Sequence, residues 1–292
     1  MLDFNYALPD FTSNLQLNLS LVEAWHNDPA MFHDGVRFSN VYDCFPGCKA
    51  NGGRHYPGAQ YPPIQIHGTF AALNNAGVKA RLTFTNVFMD SKMLRDDAYI
   101  RKILDIASRY DVEIIVYSDD VADYLRQNYP FKLVLSTTRE ITDVETLNKA
   151  LERFDYVVLN YNLNKDYDFI ARIDHPERLE VMVNELCAPN CPVRKQHYEH
   201  ESRDQLNGES TLFSEECRRP KADLADLFSG PVVLANEEVV RLRADYGVRN
   251  FKIVGRNRKR EKFVDVLLYY LVKPECHADV RRLLHERRIL DD

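Results

Sequence analysis

Short apolar runs recur along the whole chain, and the segments between them carry helical spacing. The runs are 3–8, 36–42, 79–86, 112–118, 132–137, 156–161, 178–184 and 250–255, with a shorter one, 231–236, ahead of the last. Several are nearly continuous in Val, Ile, Leu and Phe, the pattern of parallel strands buried on both faces. Between them, 96–110 sets Ile100, Ile103, Leu104, Ile106 and Ala107 on one stripe. Asp119 is placed to cap the next helix, and Thr142 with Glu145 fits a capping box. Eight such strand–helix units predict an α/β fold, a (β/α)8 TIM-like barrel, for which about 250 residues is usual. A doubly wound open sheet is the alternative. No linker or repeat divides 1–292, so one domain is expected. Two stretches show neither period: 43–66, rich in Gly and Pro, and the cysteine-bearing loop 186–230. Structureless stretches of that length inside a compact domain are functional or mobile.

In a parallel barrel, binding and catalytic groups collect at the C-terminal strand ends. Here those ends are polar: Tyr42 and Asp43, Thr85 and Asn86, Ser118 and Asp119, Ser136 to Arg139, Asn160, Asn184 and Glu185, then Arg256. Ser, Thr and Asp at such positions also start the next helix as N-caps, which is the better account of Ser118, Asp119 and Thr142. Asn is disfavoured on strands, so Asn86, Asn160 and Asn184 are candidates for neutral hydrogen bonds to a substrate. Gly52 and Gly53 precede Arg54 after the second strand, where backbone N–H groups can approach a ligand. Arg54, Arg194 and Arg256 are candidates to fix an anionic substrate through bidentate pairs. In a closed barrel, strands 8 and 2 flank strand 1, so Arg54 and Arg256 can reach one ligand.

Cysteine placement adds a second kind of chemistry. Cys187, Cys191 and Cys217 fall within 31 residues at a strand end, beside Arg194, His197, Tyr198 and His200. Thiolate is the soft ligand that iron–sulfur clusters and zinc select. Cys44 or Cys48, after the second strand, supplies a fourth ligand, because strands 2 and 7 open on the same rim. His197 and His200 share a helix face and are alternative zinc ligands. Cys276 stands apart, as a helix-start or packing residue.

The chain has 292 residues, is 45% hydrophobic and carries a net charge of −6. It can bury a sizeable core, and its balance gives no argument for nucleic acid, although a local basic patch would suffice. No apolar run reaches the length of a membrane span, and the N-terminus lacks the order of a signal peptide. A cytoplasmic protein follows, with its six cysteines reduced and free to bind metal.

Asn184-Glu185-Leu186-Cys187 and the late NFKIVGRNR, 250–258, resemble motifs of the U32 peptidase-like family. That family includes proteins called collagenases, RNA-hydroxylation proteins and the paired proteins of oxygen-independent ubiquinone hydroxylation. The resemblance implies a TIM barrel with a [4Fe–4S] cluster on Cys187, Cys191, Cys217 and either Cys44 or Cys48. Val254 stands where the family motif has Glu, so a role of that acid is absent. The CxxxCxxC of radical-SAM barrels is missing, since Pro192, Val193 and Arg194 follow Cys191. The reading is an iron–sulfur barrel with redox or hydroxylation-type activity on a small or anionic substrate. The alternatives are a metal-dependent hydrolase or peptidase, and a non-catalytic barrel pinned by zinc that binds a ligand or a protein partner. No HExxH or GxSxG supports the hydrolase.

Overall fold

Strand-to-strand pairing closes on itself. The computed structural model describes residues 2–52, 58–213, 228–255 and 259–290. Eight parallel strands run β1 (Phe4–Pro9), β2 (Val36–Asp43), β3 (Lys79–Phe84), β4 (Val112–Val116), β5 (Lys132–Leu135), β6 (Tyr156–Val158), β7 (Leu179–Met182) and β8 (Asn250–Lys252). They pair in sequence order, and β8 returns to β1 with Ala7 opposite Lys252. The barrel is thus closed, and the open sheet is ruled out.

Around it lie α1 (Leu15–Asn27), α2 (Pro63–Asn75), α3 (Ser91–Asp96), α4 (Ala98–Ala107), α5 (Asp119–Asn128), α6 (Val144–Arg153), α7 (Tyr167–Ile170), α8 (Arg194–Asn207), α9 (Asn236–Tyr246), α10 (Arg260–Leu271) and α11 (His277–Glu286). None of the described helices is long and apolar enough to cross a membrane.

Alternation along each strand splits the core into two compartments. On β4, Val112, Ile114 and Val116 face the helices, while Ile115 joins Val134, Val158, Met182 and Val254 inside the barrel. Below that inner belt the interior is charged. Arg81, Glu113 and Glu180 are all buried, each two residues before an inner-belt position or Thr83. The Arg81 guanidinium donates to Glu113 Oε2 at 2.8 Å and reaches across to Glu180. Lys79 joins at 3.2 Å from Glu113, and Lys252 lies 3.9 Å from Glu180. Buried charge survives here because each ion has a partner. Burial alone would push Glu113 up, but Arg81 and Lys79 outweigh it and hold its pKa below the ordinary 4.5.

Three local readings are corrected. Ser118 Oγ, not Asp119, caps α5. Asp143 caps α6 by accepting from Thr146 N at 2.8 Å, so Thr142 does not; a carboxylate at that point also faces the positive end of the helix. Residues 231–236 form no strand: Val232 closes the inner cluster, and Leu234 N donates to Val183 O at 2.8 Å.

The stretch 186–230 is also no continuous loop, since α8 occupies its middle. α8 is the helix expected around His197 and His200, and what it buries is polar: Arg194, Ser202, Asp204 and Gln205.

Removing one partner from the inner network leaves an uncompensated buried charge. Arg81→Met is expected to cost roughly 3–5 kcal/mol of folding stability, read from urea titration. Because the folded pKa of Glu113 is lowered, its contribution is complete above the unfolded carboxylate value and is lost as pH falls through the folded one. A stability–pH curve for Glu113→Gln should therefore be flatter than wild type on the acid side of about pH 4.5. Parallel curves would remove this account.

Candidate functional site at the C-terminal mouth of the barrel

The mouth is narrow, with about 50 Å³ of free space. Its floor carries Lys252, whose ammonium lies 3.8 Å over the Tyr42 ring. Tyr42 OH donates to Ile253 O at 2.8 Å, which fixes that ring against the end of β8. Thr83, Thr85, Ser136 and Thr138 bring hydroxyls to the wall, and Glu185 and Tyr198 close it from above. Lys252 escaped the sequence reading. Its signal is a lysine alternating with Asn250 on the inward face of a strand whose other face is Phe251 and Ile253.

The rim beside the mouth is built around Glu185. One carboxylate oxygen accepts from Leu186 N at 2.8 Å and Cys187 N at 3.2 Å; the other accepts from Arg194 Nη2 at 3.1 Å. Arg194, buried at the start of α8, also donates to Tyr198 OH at 3.2 Å and lies 4.1 Å from the centre of the Tyr161 ring. Tyr161 OH donates to Ala188 O at 2.9 Å, and Asn162 Oδ1 accepts from Asn190 N at 2.8 Å. The Cys187–Cys191 turn is thereby tied to β6, β7 and α8 together. Both thiols are half-buried. Burial pushes Cys187 up, and Arg194, hydrogen-bonded to it, opposes this without cancelling it. Burial also pushes the Tyr161 phenol up to about 12.

Cys44 and Cys48 lie elsewhere. Both are fully buried in the helix-facing compartment with Phe45 and Ala50, whereas Cys187 packs on the barrel-interior cluster. Burial, then the hydrogen bond to Cys48, drives the Cys44 pKa well upward. Cys217, Arg54 and Arg256 lie outside the described residues, as does Gly53. Among the described residues no group of three or more His, Cys, Asp or Glu side chains converges. His197 stacks on Phe213 at 4.7 Å and pairs with Glu201, while His200 contacts Thr211 and Asp204. These histidines hold the segment after α8. Cys276 precedes α11, matching its reading as a helix-start residue.

The three asparagines bind backbone. Asn184 Nδ2 donates to Val254 O at 2.8 Å and its Oδ1 accepts from Val254 N at 2.7 Å, extending the β7–β8 ladder by a side chain. Asn86 Nδ2 donates to Lys49 O and Ser202 O, joining the loop after β2 to α8. Asn160 Oδ1 accepts from Asn162 N at 3.1 Å. Gly52 is explained by close approach: a Cβ there would stand 2.3 Å from Thr85 O. Its backbone packs on the end of β3, a reason for glycine other than reaching a ligand.

With this geometry in place, comparisons with known proteins bear on it. No protein-family model matches the chain. A collagenase of Porphyromonas gingivalis (strain ATCC BAA-308 / W83) is 28% identical over 227 residues, 70% of this chain and 53% of that protein. The chain thus spans about half the length of that relative. A solved U32 peptidase structure superposes with a TM-score of 0.56 at 14% identity, covering 88% of this chain and 94% of that one. The fold is therefore U32 peptidase-like, in line with the resemblance carried by 184–187 and 250–258.

Two substitutions test the scaffold of the site. Asn184→Ala strands both polar groups of Val254, and a loss of roughly 1–3 kcal/mol is expected in chemical denaturation. Gly52→Ala should cost about 1–3 kcal/mol through overpacking against β3. Wild-type stability in both variants would show that the mouth is not held by these contacts.

Proposed function

We propose that the chain is a U32-like barrel protein that carries an iron–sulfur centre on the rim of its mouth and acts in redox or hydroxylation-type chemistry on a small anionic substrate. The observation that carries this reading is the pair Cys187 and Cys191, half-exposed soft donors on one turn, with the Arg194 guanidinium hydrogen-bonded to Cys187. A guanidinium beside thiolates offsets the negative charge of a thiolate-ligated cluster. The donor type fits such a group, and Cys187 and Cys191 would hold it with Cys217 as third ligand. Cys44 or Cys48 completes the set only if the buried turn after β2 repacks, because those thiols face the helix layer. When bound, the group supplies one-electron transfer at the rim. Lys252 and the mouth hydroxyls orient the substrate, and Glu185 and Arg194 hold the cysteine turn in place.

A second reading, a metal-dependent hydrolase, is favoured by the name of the collagenase relative. Thiol ligands suit zinc as well as iron. Anaerobic purification with a visible spectrum and iron, sulfide and zinc analysis separates the two. Brown protein with iron and sulfide is expected, lost in Cys187→Ser and Cys191→Ser and kept in Cys276→Ser. A colourless protein with zinc shifts the conclusion to the hydrolase. Undiminished metal in both rim variants would show these cysteines to be packing residues.

A further inference from the structure

Beside the mouth runs a groove of about 390 Å³, between α8 and the loops after β3, β4 and β5. Phe88, Tyr117 and Lys195 line the groove, and Thr138 and Tyr198 line both groove and mouth. The two spaces adjoin across those two side chains. The groove has the size of ordinary ligand sites, roughly 300–1,000 Å³, and the mouth alone does not.

The two ends differ in chemistry. At the inner end Lys252 stands over the Tyr42 ring and 3.9 Å from a Glu180 oxygen. A ring face and a carboxylate both attract an ammonium group. Lys252 is thereby held in place at the inner end, suited to meeting an anion. The space in front of it, about 50 Å³, admits a carboxylate-sized head, since on this measure a water needs about 10–15 Å³. Thr85 and Ser136 offer hydroxyls there. At the outer end the rings of Phe88 and Tyr117 stand among Arg139, Glu140, Lys195 and Glu199. Phe88 is 39% exposed, and Tyr117 and Phe88 each carry a guanidinium, from Arg139 and Arg203, at 5.5 and 4.9 Å.

We infer that mouth and groove form one two-part site for a carboxylate that carries a flat ring. The carboxylate seats against Lys252 with Thr85 and Ser136, and the ring lies past Thr138 between Tyr198 and Phe88. This rests on the mouth being the ligand site, as proposed above, and is independent of which metal the rim holds. Phenylacetate, acetate and benzyl alcohol are the probes, measured by ligand-observed NMR on anaerobically purified protein whose iron content is assayed in parallel. Phenylacetate is expected to bind at least about ten-fold more tightly than either fragment. Lys252→Met, checked for folding by circular dichroism, should weaken phenylacetate by about ten-fold or more and leave benzyl alcohol unchanged. Phe88→Ala should erase the advantage of phenylacetate over acetate. No phenylacetate binding to wild type, or equal binding to wild type and folded Lys252→Met, overturns the inference. If Lys252→Met does not fold, Phe88→Ala and Thr138→Val decide it, and the absence of any effect in both overturns it. Phenylacetate binding without iron upholds this site and sinks the iron–sulfur reading; iron without phenylacetate binding does the reverse.

Discussion

Arg81 spans the barrel. Its guanidinium meets Glu113 on the neighbouring strand and Glu180 on β7, across the ring of eight. All three side chains are buried, so each depends on the others being in register. The same Glu180 lies beneath Lys252, which puts a cation on the floor of the mouth. Charged groups thus run up the barrel from Lys79, near the N-terminal face, to the C-terminal mouth. An apolar interior would close the barrel as well, but it would leave Lys252 without an anion below it.

Above the mouth, directional hydrogen bonds take the place of apolar packing. α8 has almost no apolar face, yet it is fixed over β3 and β7 because Asn86, Glu185 and Cys48 O meet its Ser202, Arg194 and Gln205. Such contacts lose strength steeply with distance and angle, so they specify position more sharply than a greasy interface does. The Cys187–Cys191 turn inherits that position through Arg194 and Tyr161. The rim chemistry therefore depends on a helix with little apolar surface, held in place through Asn86, Glu185 and the loop after β2.

Much of the architecture was legible in the chain. Apolar runs spaced by amphipathic segments gave the number and order of strands, because burial on both faces leaves an unbroken hydrophobic run that one sequence displays. The strand ends were read too long, as at 156–161 and 178–184, since Asn160 caps the turn that follows it and Asn184 continues the ladder through its side chain while the backbone turns away. The helix carrying His197 and His200 was read from polar residues alone, without an apolar stripe to mark its extent, because the residues it buries are Arg, Ser, Asp and Gln.

The sequence by itself determined eight parallel strands alternating with helices, polar strand ends, and the clustering of cysteines after β7, for these follow from local composition and spacing. Only the tertiary structure decided which groups meet. It set Cys44 and Cys48 behind the barrel wall, away from Cys187, turned three asparagines to backbone, and brought Lys252 beneath the mouth. The physical reason is that a strand's two faces lead into different compartments, and a shift of one residue exchanges them. Spacing along the chain reports which residues are near a strand end; closure of the barrel reports which side of the wall each one faces.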